Sequence, residues 1–327
     1  MGTKGLDLDQ PLYDQNTFWG RFKHYAVITN PLNAFVSKQR LLEAKHLVDC
    51  YKCGAELPAG TTDDHVIRAN VLVQSAFHPD TGQLQPLLGR MCFQVPVQMA
   101  IVGSMLTWYK TTRAVVFWQW VNQSAMALLN YTNRNAKSDI TTQQMGVAYA
   151  SATTSAVVAS IGLKALLSRG SSLLQRMVPF LGVAAANCVN VPLTRQNELK
   201  NGIMLCDAQG SELAHSKTAA VKAVSLVTAS RIVGAGMSMT LVPVISERLE
   251  KIPAYYARRG MLTAPVQTLL SGMVILVGIP TMCAVFPQRN WIHSTTLQRF
   301  EPMTYDEVCK KLDLCPVHTT LYFNKGL

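Results

Sequence analysis

From residue 91 onward, stretches without a charged side chain follow one another: 91–109, 114–133, 140–163, 177–194, 232–246 and 260–288. A helix needs about 20 mostly apolar residues to cross a bilayer. Five of the six runs meet or approach that length, and the 232–246 run reaches it only by taking in Arg231. We read five spans, roughly 95–112, 143–163, 177–194, 226–246 and 264–285. The fold class expected is mainly α: a multi-pass helical membrane protein with an added amphipathic helix at 114–133, which stands open as a sixth span, a re-entrant piece or an interfacial helix. Charged residues make up 15% of the chain, against roughly 25% in soluble domains, and mean hydropathy is positive at +0.14.

The charge is unevenly placed. Residues 1–90 hold nine Lys and Arg and nine Asp and Glu, whereas 91–288 hold sixteen against six. The basic excess therefore lies in short loops between apolar runs. That suits anionic lipid headgroups better than nucleic acid, which favours a basic face on a soluble domain. The expected organisation is a water-facing helical region over 1–90, a membrane domain over 91–288 and a tail over 289–327.

Within 1–90, Phe18, Trp19, Phe22 and Tyr25 mark a short amphipathic element that Pro31 ends. A helix over 37–53 takes Ser37 as its N-cap. Another over 62–76 opens at Thr61 or Thr62, with Asp63 and Asp64 in its first turn. HPDTG at 78–82 reads as a turn with Gly82 free to take positive φ. The tripeptide also occurs in co-chaperone loops, but those follow a basic helix, and 62–76 sets only Arg68 against Asp63 and Asp64.

The run FWQWVNQSAMALLNYTNRNA at 117–136 is the amphipathic one. On a helix at about 100° per residue, Gln119, Asn122, Gln123, Asn130 and Asn133 fall within an arc of about 100°. Val121, Ala125, Leu128 and Leu129 are assigned to the opposite side. Two readings of the amides stand open. They hydrogen-bond neighbouring helices, each bond contributing about 0.6–2 kcal/mol. Or they form a polar wall for a neutral or zwitterionic solute, since an amide offers both donors and an acceptor.

A second polar island lies at 179–195, where Asn187 and Asn190 share a face and Pro192 follows. A proline inside a span frees a backbone carbonyl. Pro96, Pro243, Pro265 and Pro280 are expected to break or bound other spans, a recurring transporter device. Arg231 is the one cation well inside an expected span; it either snorkels to the interface or binds a substrate carboxylate.

Eight cysteines are spread along the chain, too sparsely for a disulfide scaffold. His46, Cys50 and Cys53 form H-x3-C-x2-C, but a structural site wants four ligands, and the rest would come from Cys309, Cys315 and His318 in the tail. No metal or cofactor is expected. Nucleophile-elbow, zinc-protease and P-loop motifs are absent, so the chain reads as no enzyme, and transport would be secondary or facilitative.

FHPDTG at 77–82, FWQWVNQS at 117–124, NYTNRNA at 130–136, AAANCVN at 184–190, RQNEL at 195–199 and YFNKGL at 322–327 together resemble the sideroflexin family, from about Tyr13 to Leu327. The resemblance implies a mitochondrial inner-membrane protein of about five spans. It implies transport of serine and other small amino acids for one-carbon metabolism, with a link to iron homeostasis and haem biosynthesis. Acidic Asp7, Asp9 and Asp14 speak against a cleavable presequence.

The positions carried over are Asn122, Asn130, Asn133, Asn187, Asn190 and Arg195, to which the residue reading adds Arg231. Met237-Ser238 stands where many members have Pro-Gly, which puts a helix break there in doubt. Expected partners are serine or a similar small amino acid and membrane lipids, with an oligomer left open and no nucleic acid. The rival reading is a non-transporting scaffold that supports haem or iron–sulfur metabolism through residues 1–90.

Overall fold

The computed structural model describes Leu8 and residues 10–78, 81–132, 141–167, 175, 177–312 and 319–326. The chain divides into two compact units. One comprises Met1–Ser138 and Met237–Ala284, the other Asp139–Gly236 and Val285–Leu327.

The first unit opens with α1 (Phe18–Ile28), whose N-cap Thr17 accepts from the Gly20 amide. A 3-10 turn, Pro31–Phe35, follows, entered through Asn30 with Pro31 at its first position. Helices α2 (Lys38–Lys52) and α3 (Asp63–Ala76) pair as a hairpin around Leu41, Ala44, Val48, Val66 and Ala69. Ser37 accepts from the Arg40 amide, and Thr62 and His65 cap reciprocally, as their positions in the sequence led one to expect. The 77–84 segment turns back on itself: Gly82 takes φ +63° and donates to the His78 carbonyl at 2.9 Å. Pro79 and Asp80 lie outside the described residues.

Helices α4 (Gln94–Trp108) and α5 (Thr112–Thr132) come next, and α11 (Arg259–Val285) belongs mostly to this unit. α4 and α11 run antiparallel in close contact. A Cβ on Gly103 would sit 2.6 Å from Thr268 Oγ1, and one on Gly272 would meet Met99. Small residues at such crossings let backbones approach where apolar lipid supplies no hydrophobic drive.

In the second unit, α6 (Thr142–Leu166) packs along α7 (Val178–Thr194) through Ala152, Ala156 and Ala186. Gln144, near the start of α6, donates to Asn197 just past the end of α7 at 3.3 Å, so the pair is antiparallel. After α8 (Gln196–Asn201) the chain forms β1 (Ile203–Cys206) and β2 (Glu212–Ser216), then the 33-residue α9 (Lys217–Leu249). Next come α10 (Pro253–Ala257), α11, β3 (Arg289–His293), α12 (Ser294–Phe300), α13 (Pro302–Lys311) and β4 (Thr320–Asn324).

The strands form one antiparallel sheet in the order β2-β1-β4-β3. Its inner face, with Leu205, Leu213, Ile292, Leu321 and Phe323, packs on Ala219 and Ala223 of α9 and on Leu297, Tyr305 and Val308. Glu301 caps α9 from 84 residues away: one carboxylate oxygen accepts from the Lys217 amide at 2.8 Å and the Thr218 amide at 3.2 Å, the other from the Ser216 hydroxyl.

Four helical segments among the described residues are long and apolar enough to cross a membrane: Met91–Trp108, Thr142–Leu166, Lys217–Leu249 and Arg259–Val285. Val178–Thr194, also read as a span from sequence, is a shorter apolar helix of 17 residues. One expectation about helix breaks needs correction: helices run through Pro192, Pro243, Pro265 and Pro280. The break that Met237-Ser238 put in doubt is absent, and α9 runs through both residues. Neighbouring helices and hydroxyl side chains can meet the backbone groups that a proline frees.

Candidate functional site

The amides of α5 face inward. Its buried side carries Val115, Gln119, Asn122, Gln123 and Leu129, and its exposed side carries Val116, Phe117, Trp120, Leu128 and Tyr131. This inverts the pattern of a helix in water and is the arrangement a lipid-facing helix requires, apolar outside and polar within. Leu129, assigned from sequence to the side opposite the amides, instead lies at the buried edge of their arc, because its projected angle falls beside Asn122.

The polar groups of this unit fall into two classes. Some are bonded: Gln119 Nε2 donates to the hydroxyl of Tyr109, just past the end of α4, at 2.7 Å, and Thr107 Oγ1 donates across helices to Gln267 Oε1 at 2.7 Å. Gln98 Nε2 lies 3.8 Å from Met126 Sδ. Others are buried without such a bond. Asn122 and Gln123 are 3% and 5% exposed, and their amides engage no hydrogen-bond partner among the described residues. The Ser271 hydroxyl, one turn beyond Gln267 on α11, is buried and without one as well. Buried amides and hydroxyls are nearly always met by protein or by an ordered small molecule, and each one left unmet costs about 1–3 kcal/mol.

The second unit repeats the theme on α7. Asn190 is buried and Asn187 half-buried, and neither amide engages a partner among the described residues. Pro192 brings no N–H, so the Cys188 carbonyl lacks its helical donor.

The remaining expected site residues are placed as follows. Asn130 is half-buried on the amide arc of α5, and Asn133 lies outside the described residues. Arg231 is half-buried within α9. Arg195, at the end of α7, is committed: its guanidinium pairs with Glu198 and donates to the Lys325 carbonyl at 2.8 Å. Gly326, at φ +75°, packs against it, and a Cβ there would come within 3.3 Å of Nη2. Asn122 and Asn130 belong to the first unit, and Asn187, Asn190, Arg195 and Arg231 to the second.

Reading the sequence missed Tyr109, Thr107, Gln267 and Ser271. Each is a single polar residue in an apolar run, which leaves no periodicity to detect. Of the cysteine motif, Cys50 Sγ lies 3.6 Å from His46 Nδ1 and Cys53 is exposed, and no group of three or more metal-ligating side chains assembles among the described residues. Cys315 and His318 lie outside them. A cavity of about 270 Å³ beside α1 and α3 is lined by His24, Asn70 and Gln74 with aliphatic neighbours. Burial lowers the His24 pKa below its ordinary 6.5.

Comparison with known proteins covers the whole of this architecture. The family model for sideroflexins matches residues 7–327. Sideroflexin-2 of Drosophila melanogaster is 48% identical over 324 residues, sideroflexin-3 of Mus musculus 45% over 322 and sideroflexin-1 of Homo sapiens 42% over 322, each alignment spanning 98% of both chains. No solved structure matches. A family match that begins before α1 and runs through the C-terminal strand, with relatives aligned end to end, places this chain in the sideroflexin family.

Proposed function

We propose that this sideroflexin carries a small zwitterionic amino acid, serine foremost, across the mitochondrial inner membrane, supplying one-carbon metabolism and thereby touching iron homeostasis and haem biosynthesis. The observation that carries this reading is the buried amides that engage no partner among the described residues, Asn122 and Gln123 on α5 in the first unit and Asn190 on α7 in the second. Gln119, by contrast, donates its Nε2 to the Tyr109 hydroxyl. Unmet buried amides are rare, and a polar ligand is one thing that meets them.

Serine suits such groups. The Asn122 and Gln123 amides and the Ser271 hydroxyl in the first unit, and the Asn190 amide and the proline-freed Cys188 carbonyl in the second, each offer as a set donors for a carboxylate and acceptors for an ammonium. None of these strands a net charge in the bilayer. Asn130, Asn133 and Asn187 extend the same chemistry. Arg231, half-buried within α9, is a further candidate cation for the carboxylate. Arg195 joins it only by exchanging Glu198 for substrate, because its guanidinium is already paired.

The test is saturable uptake of labelled serine by proteoliposomes containing the purified protein. A protein that reconstitutes folded yet shows no saturable uptake of serine, alanine or glycine would sink the carrier reading in favour of the scaffold.

A further inference from the structure

The N-terminal helix is tied to the ends of two membrane-spanning helices. Arg21 of α1 is only 7% exposed. Its Nε donates to the Ala284 carbonyl at 2.8 Å, and its Nη1 donates to the carbonyls of Gln15 at 2.8 Å and Asn16 at 3.0 Å. Ala284 is one residue from the end of α11. The Pro31–Phe35 turn packs on Met91–Phe93 and on α4, at the opening of another span. Because α4 and α11 are antiparallel, with Met99 against Gly272 and Gly103 against Thr268, those two span ends lie at the same end of the pair. The 18–35 segment is therefore fixed from both sides at the depth where two hydrophobic helices leave the bilayer.

What this segment exposes fits that depth. Trp19 is 67% exposed, Leu32 70% and Phe35 83%. The rings of Phe18, Trp19 and Phe22 lie within 6.2 Å of one another as a cluster. Exposed Lys23 shares a helix face with Trp19, and exposed Lys38 and Arg40 follow Phe35. Water-facing surfaces of soluble proteins do not group such residues. The headgroup layer does: indole and phenyl rings settle at the acyl boundary, and lysine ammonium groups reach the phosphates.

We propose that α1 and the Pro31–Phe35 turn lie in the lipid headgroup layer, with Trp19, Leu32 and Phe35 at the acyl boundary and Lys23 and Lys38 on lipid phosphates. Residues 1–90 are then not uniformly water-facing. Their first helix is an interfacial anchor that holds the ends of α4 and α11 at a fixed depth, while the α2–α3 hairpin carries its own core.

Native protein in vesicles of phosphatidylcholine and phosphatidylglycerol tests this without substitution. Hydroxyl radicals made in the water phase and a carbene released from a lipid acyl chain are each mapped to residues by mass spectrometry. The expected result is protection of Trp19 and Phe35 from radicals by about tenfold relative to the unfolded chain, with carbene adducts on the peptide that holds Leu32 and Phe35, consistent with insertion about 5–10 Å into the layer. Radical oxidation at the unfolded rate would overturn the proposal. So would protection without carbene adducts, which would mean that a second protein copy covers the patch.

Discussion

Thr107 on α4 donates its hydroxyl to Gln267 Oε1 on α11 at 2.7 Å, sharing the proton with the Gly103 carbonyl at the same distance. Gln267 is 7% exposed, so this bond is made where water does not compete. Removing one partner strands the other. Thr107→Val and Gln267→Leu are each expected to lower stability by about 1–2 kcal/mol, and the double variant to cost less than the two losses added together. Unfolding of the four proteins in mixed micelles closes the cycle. Strict additivity would mean that the pair contributes no coupling.

The cap on α9 gives a second prediction. Glu301 places its carboxylate on the first amides of a helix 33 residues long, joining the sheet unit to that helix. Glu301→Ala should destabilise by about 1–2 kcal/mol, by loss of both the hydrogen bonds and the charge at the helix N-terminus. Glu301→Gln keeps an acceptor and should recover about half. Hydrogen exchange at Lys217, Thr218 and Ala219 reads the effect locally, and unchanged exchange there would remove Glu301 as the cap.

Much of the helical architecture is legible in the sequence because its signals are local. Ser37, Thr62, Pro31 and Gly82 act within one turn of themselves, and the 117–136 amides reveal their common face through period alone. The sheet is not legible in this way. IMLC at 203–206 is four residues long, and its neighbour in the sheet, TLYFN, lies more than a hundred residues later. RNWIH alternates exposed and buried, yet five residues of alternation do not announce a distant partner. The prolines misled for a physical reason: the sequence marks the lost N–H but not the neighbouring groups that compensate for it. At the candidate site, the amides could be found from the sequence. Which of them are bonded depends on partners such as Tyr109, whose position only the fold sets.

His24 supplies a pH test. Burial beside the α1–α3 cavity holds its pKa below 6.5, so the folded chain keeps it neutral. As pH falls below 6.5, the unfolded chain binds a proton that the folded chain resists, and stability declines until the lowered folded pKa is reached. Above 6.5 the contribution is fully present. His24→Gln should flatten the fall in Tm between pH 7 and pH 5.5 while leaving Tm at pH 7.5 within a few degrees. Equal slopes in the two proteins would show that His24 does not titrate against folding.

Asn122 separates the two roles of the α5 amides. Its side chain is 3% exposed and engages no partner among the described residues. Asn122→Leu keeps the branching and the number of side-chain heavy atoms while removing an unmet polar group, and should leave thermal stability equal or raised by up to about 1 kcal/mol. Gln119→Leu, by contrast, breaks the bond to Tyr109 and should lower it. Transport should respond in the opposite sense. Losing one substrate hydrogen bond of about 1.4 kcal/mol corresponds to about a tenfold fall in serine uptake for Asn122→Leu. A variant less stable than the native protein, with uptake reduced only in proportion to folded protein, would return Asn122 to the role of inter-helix glue. Stability kept and uptake lost is the pattern that a passage wall demands.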